Sequence, residues 1–410
     1  MAFLYQLGMF FYSVFIHFGS FFNEKARLFA HGRKNWKANI AAKIDSGAKY
    51  VWFHCASLGE FEQGRPVIEE LKLKYPEYKI VLTFFSPSGY EIRKNYQLAD
   101  IVSYLPLDTK RNATEFLNIL KPEKVFFIKY EFWYFYISEL KRRKIPLYII
   151  SAIFRENQQF FKDTPVGKWY RKMLFNVEHF FIQNEKSGEL LKTIGISNFT
   201  VSGDTRFDRV AAIAGSAKEI PLVEKFKGDR LLIIAGSTWK PDEELLAEFI
   251  NQSGLKFIIA PHEVSEGNIN RIHQLLKKPA ISFSKVTESE IDRFQVLIID
   301  SVGLLSSLYR YGNIAYIGGG FGVGIHNILE AATFGLPVIF GPNYKKFKEA
   351  VDLINEGGAF TISNYNELGQ ALINLIDQEY EREKATEICR NYVAKNVGST
   401  QIIIKKVFNI

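Results

Sequence analysis

The stretch "YIGGGFGVGIHNILEAATFGLPVIFGP", Tyr316 to Pro342, decides how this chain is read. An apolar run from Asn313 to Ile317 leads into five glycines, Gly318, Gly319, Gly320, Gly322 and Gly324, and then into a helical pattern carrying Asn327 and Glu330. Strand, flexible loop and helix form the repeating unit of parallel α/β sheets. The dinucleotide fingerprint Gly-x-Gly-x-x-Gly with a downstream acid does not fit. The glycines never fall at that spacing, and the basic run Lys345, Lys346, Lys348 stands where the acid belongs. What remains is a loop that permits close backbone approach, followed by a helix start suited to an anion such as a phosphate.

Outward from this unit the same alternation recurs. Candidate strands are Tyr50 to His54, Lys79 to Phe84, Lys124 to Ile128, Leu147 to Ser151 and His179 to Ile182, with amphipathic stretches such as Pro66 to Tyr75 between them. After a turn-rich region around Gly203 to Lys227 the pattern restarts at Arg230 to Ala235, Lys256 to Ala260, Val296 to Asp300, Asn313 to Ile317 and Leu336 to Phe340. The expectation is an α/β chain with two doubly wound Rossmann-like domains, residues 36–205 and 228–385. A linker (206–227) joins them, and a C-terminal helix (386–410) follows. Ligands of such sheets bind beyond the carboxyl ends of the strands, so two domains facing across a cleft offer one ligand per wall.

The composition, 410 residues with 47% hydrophobic, is that of a globular chain with a sizeable core. A net charge of +8 favours anionic partners. Cys55 and Cys389 are far apart and lie in no metal-ligand spacing, which fits a reducing compartment and no structural zinc. Residues 1–35 read as a membrane-associated helix and its basic flank. Phe3 to Phe22 is uncharged and about the length needed to cross a bilayer. Lys25, Arg27, Arg33, Lys34 and Lys37 follow, which places the bulk of the chain on the cytoplasmic side. Gln6, Ser13, His17 and Ser20 share one helical stripe, so a helix lying in the interface fits as well as a span.

Five motifs, "FHCASLGE" (Phe53 to Glu60), "KYEFWYFY" (Lys129 to Tyr136), "GDTRFDR" (Gly203 to Arg209), "AGSTWKPDEE" (Ala235 to Glu244) and "GIHNILEAATFGLPVIFGP", occur in the order seen in the 3-deoxy-D-manno-octulosonic acid (Kdo) transferases. The chain resembles that family over nearly its whole length. The resemblance implies a GT-B glycosyltransferase with residues 36–205 as acceptor domain and 228–385 as CMP-sugar-binding domain. It also implies a CMP-Kdo donor, a lipid A precursor as acceptor, and work in lipopolysaccharide synthesis at the cytoplasmic face of the inner membrane. An anionic membrane surface is expected as partner, and neither nucleic acid nor a cofactor. Other GT-B sugar transferases and the nucleotide-sugar 2-epimerases are the alternatives, since one fold hosts several activities.

The resemblance assigns roles residue by residue. Glu60 is the general base; as residues alone, Ser57-Leu58-Gly59-Glu60 also fits a capping box. Glu131 keeps a family acidic position, although Lys129 replaces the first glutamate of that motif. Arg206 falls where the family has an interdomain lysine, able to balance donor charge, with an ordinary ion pair as the plain alternative. Asn327, Ile328, Leu329 and Glu330 match the CMP-contacting segment, with Gly319 and Gly320 in the loop before it. Gly236, Ser237 and Thr238 end a strand ahead of Pro241 and offer amides and hydroxyls to an anion. His262 and Glu263 replace the family's Arg-His. Val302, Gly303 and Leu304 match a cytidine-side segment, Leu304 standing in place of glutamate. No Asp-x-Asp occurs, so an inverting single displacement without a metal clamp is expected.

Overall fold

The computed structural model describes residues 1–408. The chain forms two compact units, Met1–Arg209 joined by the segment from Val397 onward, and Val210–Asn396.

The first unit is built on seven parallel strands: β1 (Lys49–Cys55), β2 (Tyr78–Phe84), β3 (Ile101–Tyr104), β4 (Lys124–Ile128), β5 (Leu147–Ala152), β6 (His179–Ile182) and β7 (Phe199–Val201). Their order is β3-β2-β1-β4-β5-β6-β7. Central β1, KYVWFHC, is buried from Tyr50 to Cys55, as a strand covered by helices on both faces must be. Alternate side chains feed two cores: Trp52 packs with Phe116 and Phe127 on one face, and Phe53 with Phe61 and Phe126 on the other.

The second unit repeats the plan with β8 (Leu232–Thr238), β9 (Lys256–Pro261), β10 (Ala280–Ser282), β11 (Val296–Ile298), β12 (Ile314–Ile317), β13 (Val338–Phe340) and β14 (Ala359–Thr361). All are parallel, in the order β10-β11-β9-β8-β12-β13-β14.

Three local expectations differ from the structure. The region expected to be turn-rich holds two helices, Arg206–Gly215 and Pro221–Lys227. The C-terminal stretch is two helices, Glu379–Asn396 and Ser399–Phe408, broken at Gly398, whose φ of 118° is left-handed. The second belongs to the first unit: Asp208 accepts hydrogen bonds from the amides of Gly398 and Thr400 at its start, and Ile403, Ile404 and Val407 join the core beside Phe53. Arg33, read as part of the basic flank, is turned inward. Its guanidinium donates to the carbonyls of Leu105, Phe29 and Phe85, and burial lowers its pKa to about 10. Lys25, Arg27 and Lys34 remain exposed.

The N-terminal segment forms helix α1 (Ala2–Gly19), followed by α2 (Glu24–His31) and α3 (Trp36–Ala41). One stripe of α1, Tyr5, Met9, Ser13 and Ile16, is half-buried against its own unit. The Tyr5 hydroxyl donates to Asp108 Oδ2 at 2.7 Å, and its ring meets Tyr134, Phe135 and Trp169. Tyr12 stacks on Phe85. The opposite face, with Phe3, Phe10, Phe11, Phe15 and Phe18, is exposed.

Candidate active site

In the first unit the chemistry gathers at the carboxyl ends of neighbouring strands β1 and β4. Glu60 sits in the first turn of helix α4 (Leu58–Lys74), and Glu131 lies three residues beyond β4. The capping box expected at Ser57 and Glu60 does not form. The serine makes no side-chain cap to the helix amides and instead donates its hydroxyl to Glu60 Oε2. Burial, then the negative charges of Glu60, Glu131 and Glu62, push the Cys55 thiol well above its ordinary value. Both carboxylates follow the carboxyl ends of neighbouring strands.

Glu131 is held closely. Its Oε2 accepts from the Trp133 indole at 2.7 Å and lies 3.1 Å from His54 Nε2. His54, wholly buried at the end of β1, carried no role in the sequence reading although it falls inside the quoted FHCASLGE motif. The available signal was a polar residue near the end of an apolar strand. Two strands of this rim end in strained backbone: Lys129 and Ser151 have φ of 69° and 53°, left-handed values that non-glycine residues hold only where their surroundings compel it. Arg206 pairs with buried Asp204, Nη2 to Oδ2 at 2.8 Å and Nε to the same oxygen at 3.0 Å. Gln63 binds that oxygen too. The ion pair weighed for Arg206 is therefore present.

In the second unit Gly236, Ser237 and Thr238 close β8, His262 and Glu263 follow β9, and Gly319 and Gly320 follow β12, so three adjacent strands deliver them to one rim. Val302, Gly303 and Leu304 follow β11; Val302 is exposed, and Gly303 has a φ of 93°. The glycines have an internal cause. A Cβ on Gly318 would enter the backbone of Ser237 and Thr238, and one on Gly320 would lie 2.6 Å from the Gly341 backbone. The Gly319 amide donates to Asp242 Oδ2 at 2.9 Å, and Tyr316 donates to the other oxygen of that carboxylate. The Thr238 hydroxyl likewise points inward, to buried Glu243 at 3.0 Å. Ser237, with a φ of 53°, is strained at the strand's irregular end.

Asn327 Nδ2 donates to Glu330 Oε1 at 3.1 Å, and Asn327 Oδ1 takes the Leu329 amide, so the pair touches without forming a capping box. The helix they open is a single turn, Leu329–Ala332, because the left-handed Gly335 ends it. Its dipole is correspondingly short. Ile328 and Leu329 bury their side chains, so a ligand meets them only through backbone. Beside Asn327 stands a feature missed in the sequence: the rings of Trp239, His262 and His326 stack, 4.4 Å and 4.6 Å between neighbouring centroids. The Trp239 indole donates to His326 Nε2 at 2.9 Å; an indole only donates, so that nitrogen is bare. Burial, then nearby His262, hold His326 below its ordinary pKa. The stack presents aromatic surface where the family resemblance implies an arginine.

Solved structures sharing this architecture include UDP-GlcNAc 2-epimerase from Neisseria meningitidis bound to UDP-GlcNAc. Its TM-score is 0.60 at 18% identity, over 88% of this chain and all of that one. MurG from Acinetobacter baumannii matches with a TM-score of 0.53 at 13% identity, over 88% of this chain and 100% of that one. The chain has the GT-B fold. Residues 27–209 match the family model described as 3-deoxy-D-manno-octulosonic-acid transferase (kdotransferase). The 3-deoxy-D-manno-octulosonic acid transferase of Aquifex aeolicus is 29% identical over 357 residues, 84% of this chain and 92% of that protein. The enzymes of Chlamydia trachomatis serovar A (25%; 92% and 90% covered) and Haemophilus influenzae (27%; 86% and 85%) align similarly. Over residues 27–209 the chain matches the Kdo transferase family, and the relatives aligned over most of its length are Kdo transferases.

Proposed function

We propose that this protein transfers Kdo from CMP-Kdo to a lipid A precursor at the cytoplasmic face of the inner membrane, in lipopolysaccharide synthesis. An acceptor hydroxyl oxygen attacks the anomeric carbon of the donor. The bond from that carbon to the CMP phosphate breaks with inversion, and Glu60 takes the hydroxyl proton. CMP leaves as an anion and needs no proton. The donor is bound by the second unit's rim: Glu330 accepts from the ribose hydroxyls, and the Trp239–His262–His326 stack lies beside it. Arg206 balances charge developing on the phosphate or on the donor carboxylate.

The observation that carries the reading is the continuity of the carboxylate rim with α1. Tyr12 of α1 stacks on Phe85, Phe85 packs on Trp133 at 4.5 Å, and Trp133 donates to Glu131. An apolar surface helix that abuts the reacting carboxylates suits an acceptor embedded in lipid. Helix α1 is long and apolar enough to cross a bilayer, but its Tyr5 and Tyr12 contacts hold it against the unit, so we assign it to the membrane surface, exposed phenylalanines inward. The test is purified protein with lipid A precursor and CMP-Kdo generated in situ, read by the mass of the lipid product. A lipid gaining one or more Kdo units is expected. An unchanged lipid beside an active control enzyme would remove the proposal.

A further inference from the structure

We infer that His54 and Trp133 form a two-donor clamp on one oxygen of Glu131, and that the other oxygen is thereby presented to accept a substrate hydroxyl. The inference rests on the proposed transfer reaction for its substrate, but not for the clamp.

The hydrogen-bond inventory supports the arrangement. His54 is wholly buried, with its ring among Trp52, Phe127 and Trp133. Its Nδ1 lies 2.9 Å from Thr83 Oγ1 and 3.2 Å from the Thr83 carbonyl, so that end is satisfied by β2. Thr83 is fixed in turn by the Trp52 indole, which donates to its hydroxyl at 2.7 Å. Nε2 therefore faces Glu131 Oε2 at 3.1 Å and, among the described residues, has no other partner except the Trp133 N–H, which is closer to the carboxylate. A proton on Nε2 lets that nitrogen and the Trp133 N–H each donate to Oε2; with Nε2 bare, the single Trp133 N–H, 3.1 Å from it, would have to serve two facing acceptors. Both donors then converge on Oε2.

Among the described residues no donor reaches Glu131 Oε1, and the side chain keeps 11% of its surface exposed. A carboxylate with one oxygen clamped twice and the other open is built to orient a hydroxyl rather than to carry a proton away. This separates the roles on the rim: Glu60, held among the described residues only by the Ser57 hydroxyl, is the proton acceptor, and Glu131 aligns the sugar. His54 is a positioning residue that acts through Glu131. The strained φ of 69° at Lys129 fits this reading, since it turns the chain sharply between β4 and the clamped glutamate.

The first test is ¹⁵N NMR of the imidazole nitrogens in the unmodified full-length protein. The His54 resonance is identified by its loss in His54→Gln or by elimination of the six other histidines. A protonated Nε2 is expected; a bare Nε2 overturns the clamp. The second compares two variants. His54→Phe removes the donor and should raise KM for the acceptor lipid about ten- to a hundredfold, the usual worth of a hydrogen bond to a charged group. His54→Gln places an amide N–H the same number of bonds from the backbone and should restore KM to within a few-fold. Wild-type kinetics in a folded His54→Phe protein, or failure of a folded His54→Gln protein to recover KM, refutes the assignment. If the wild-type protein transfers no sugar at all, the proposed function falls while the NMR experiment still decides the clamp.

Discussion

Replacing Phe15 and Phe18 by alanine tests the surface-bound helix directly. The two side chains are 71% and 66% exposed on the face of α1 turned away from the protein. Fully burying a phenylalanine contributes about 1.5–3 kcal/mol, so at these exposures the pair accounts for about 3 kcal/mol of membrane partition. At about 1.4 kcal/mol per decade, the double variant should bind vesicles about a hundredfold more weakly. Alanine keeps helix propensity, and neither ring contributes to the core, so the melting temperature should not move. Flotation with vesicles of zwitterionic and anionic phospholipid, run beside thermal unfolding, reads both quantities. Unchanged partition would show that this face does not meet lipid. A large fall in melting temperature would show that it packs against protein. Raising the salt concentration should weaken binding further, through Lys25, Arg27 and Lys34.

Glu60→Gln should lower turnover about 10²–10⁴-fold with donor binding intact, whereas Glu330→Ala should weaken CMP binding, as calorimetry with CMP can show; near-wild-type turnover in a folded Glu60→Gln protein would exclude the base assignment. Gly320→Ala drives a methyl into the Gly341 backbone and should cost about 1–3 kcal/mol, seen as a lower melting temperature. Burial raises the Asp108 carboxyl from 3.8 to about 6, so the folded state holds this proton more tightly than the unfolded chain. That contribution is complete below about pH 4 and is lost as the pH climbs to about 6, at most about 3 kcal/mol, and Asp108→Asn should flatten this window of the stability profile. Among the described residues no three His, Cys, Asp or Glu side chains gather to hold a metal, so transfer should persist in excess chelator; loss reversed by magnesium would contradict this.

What could be read from the chain alone follows one physical line. The ten strands anticipated are those that their sheets bury on both sides, because a buried parallel strand must be a continuous apolar run. The four missed, β3, β7, β10 and β14, are the four sheet edges. IVSY, FTV, AIS and AFT are short and partly exposed, and no local pattern distinguishes them from loop. Alternation of strand and helix likewise determined the doubly wound architecture, and motif order pointed to the family. Tertiary structure decided the rest, because it depends on which groups meet across distant segments. The glycines after β12 read as a ligand loop, yet their need arises from the backbones of Ser237 and Gly341. The Thr238 hydroxyl reads as a donor to an anion, yet buried Glu243 claims it, as Asp242 claims the Gly319 amide. His54 and Glu131 are 77 positions apart and become partners only because β1 and β4 are neighbours in the sheet. An apolar segment of bilayer length is a property of sequence; that one face of it packs on its own unit through Tyr5 and Asp108 is a contact spanning 103 residues that no local pattern encodes.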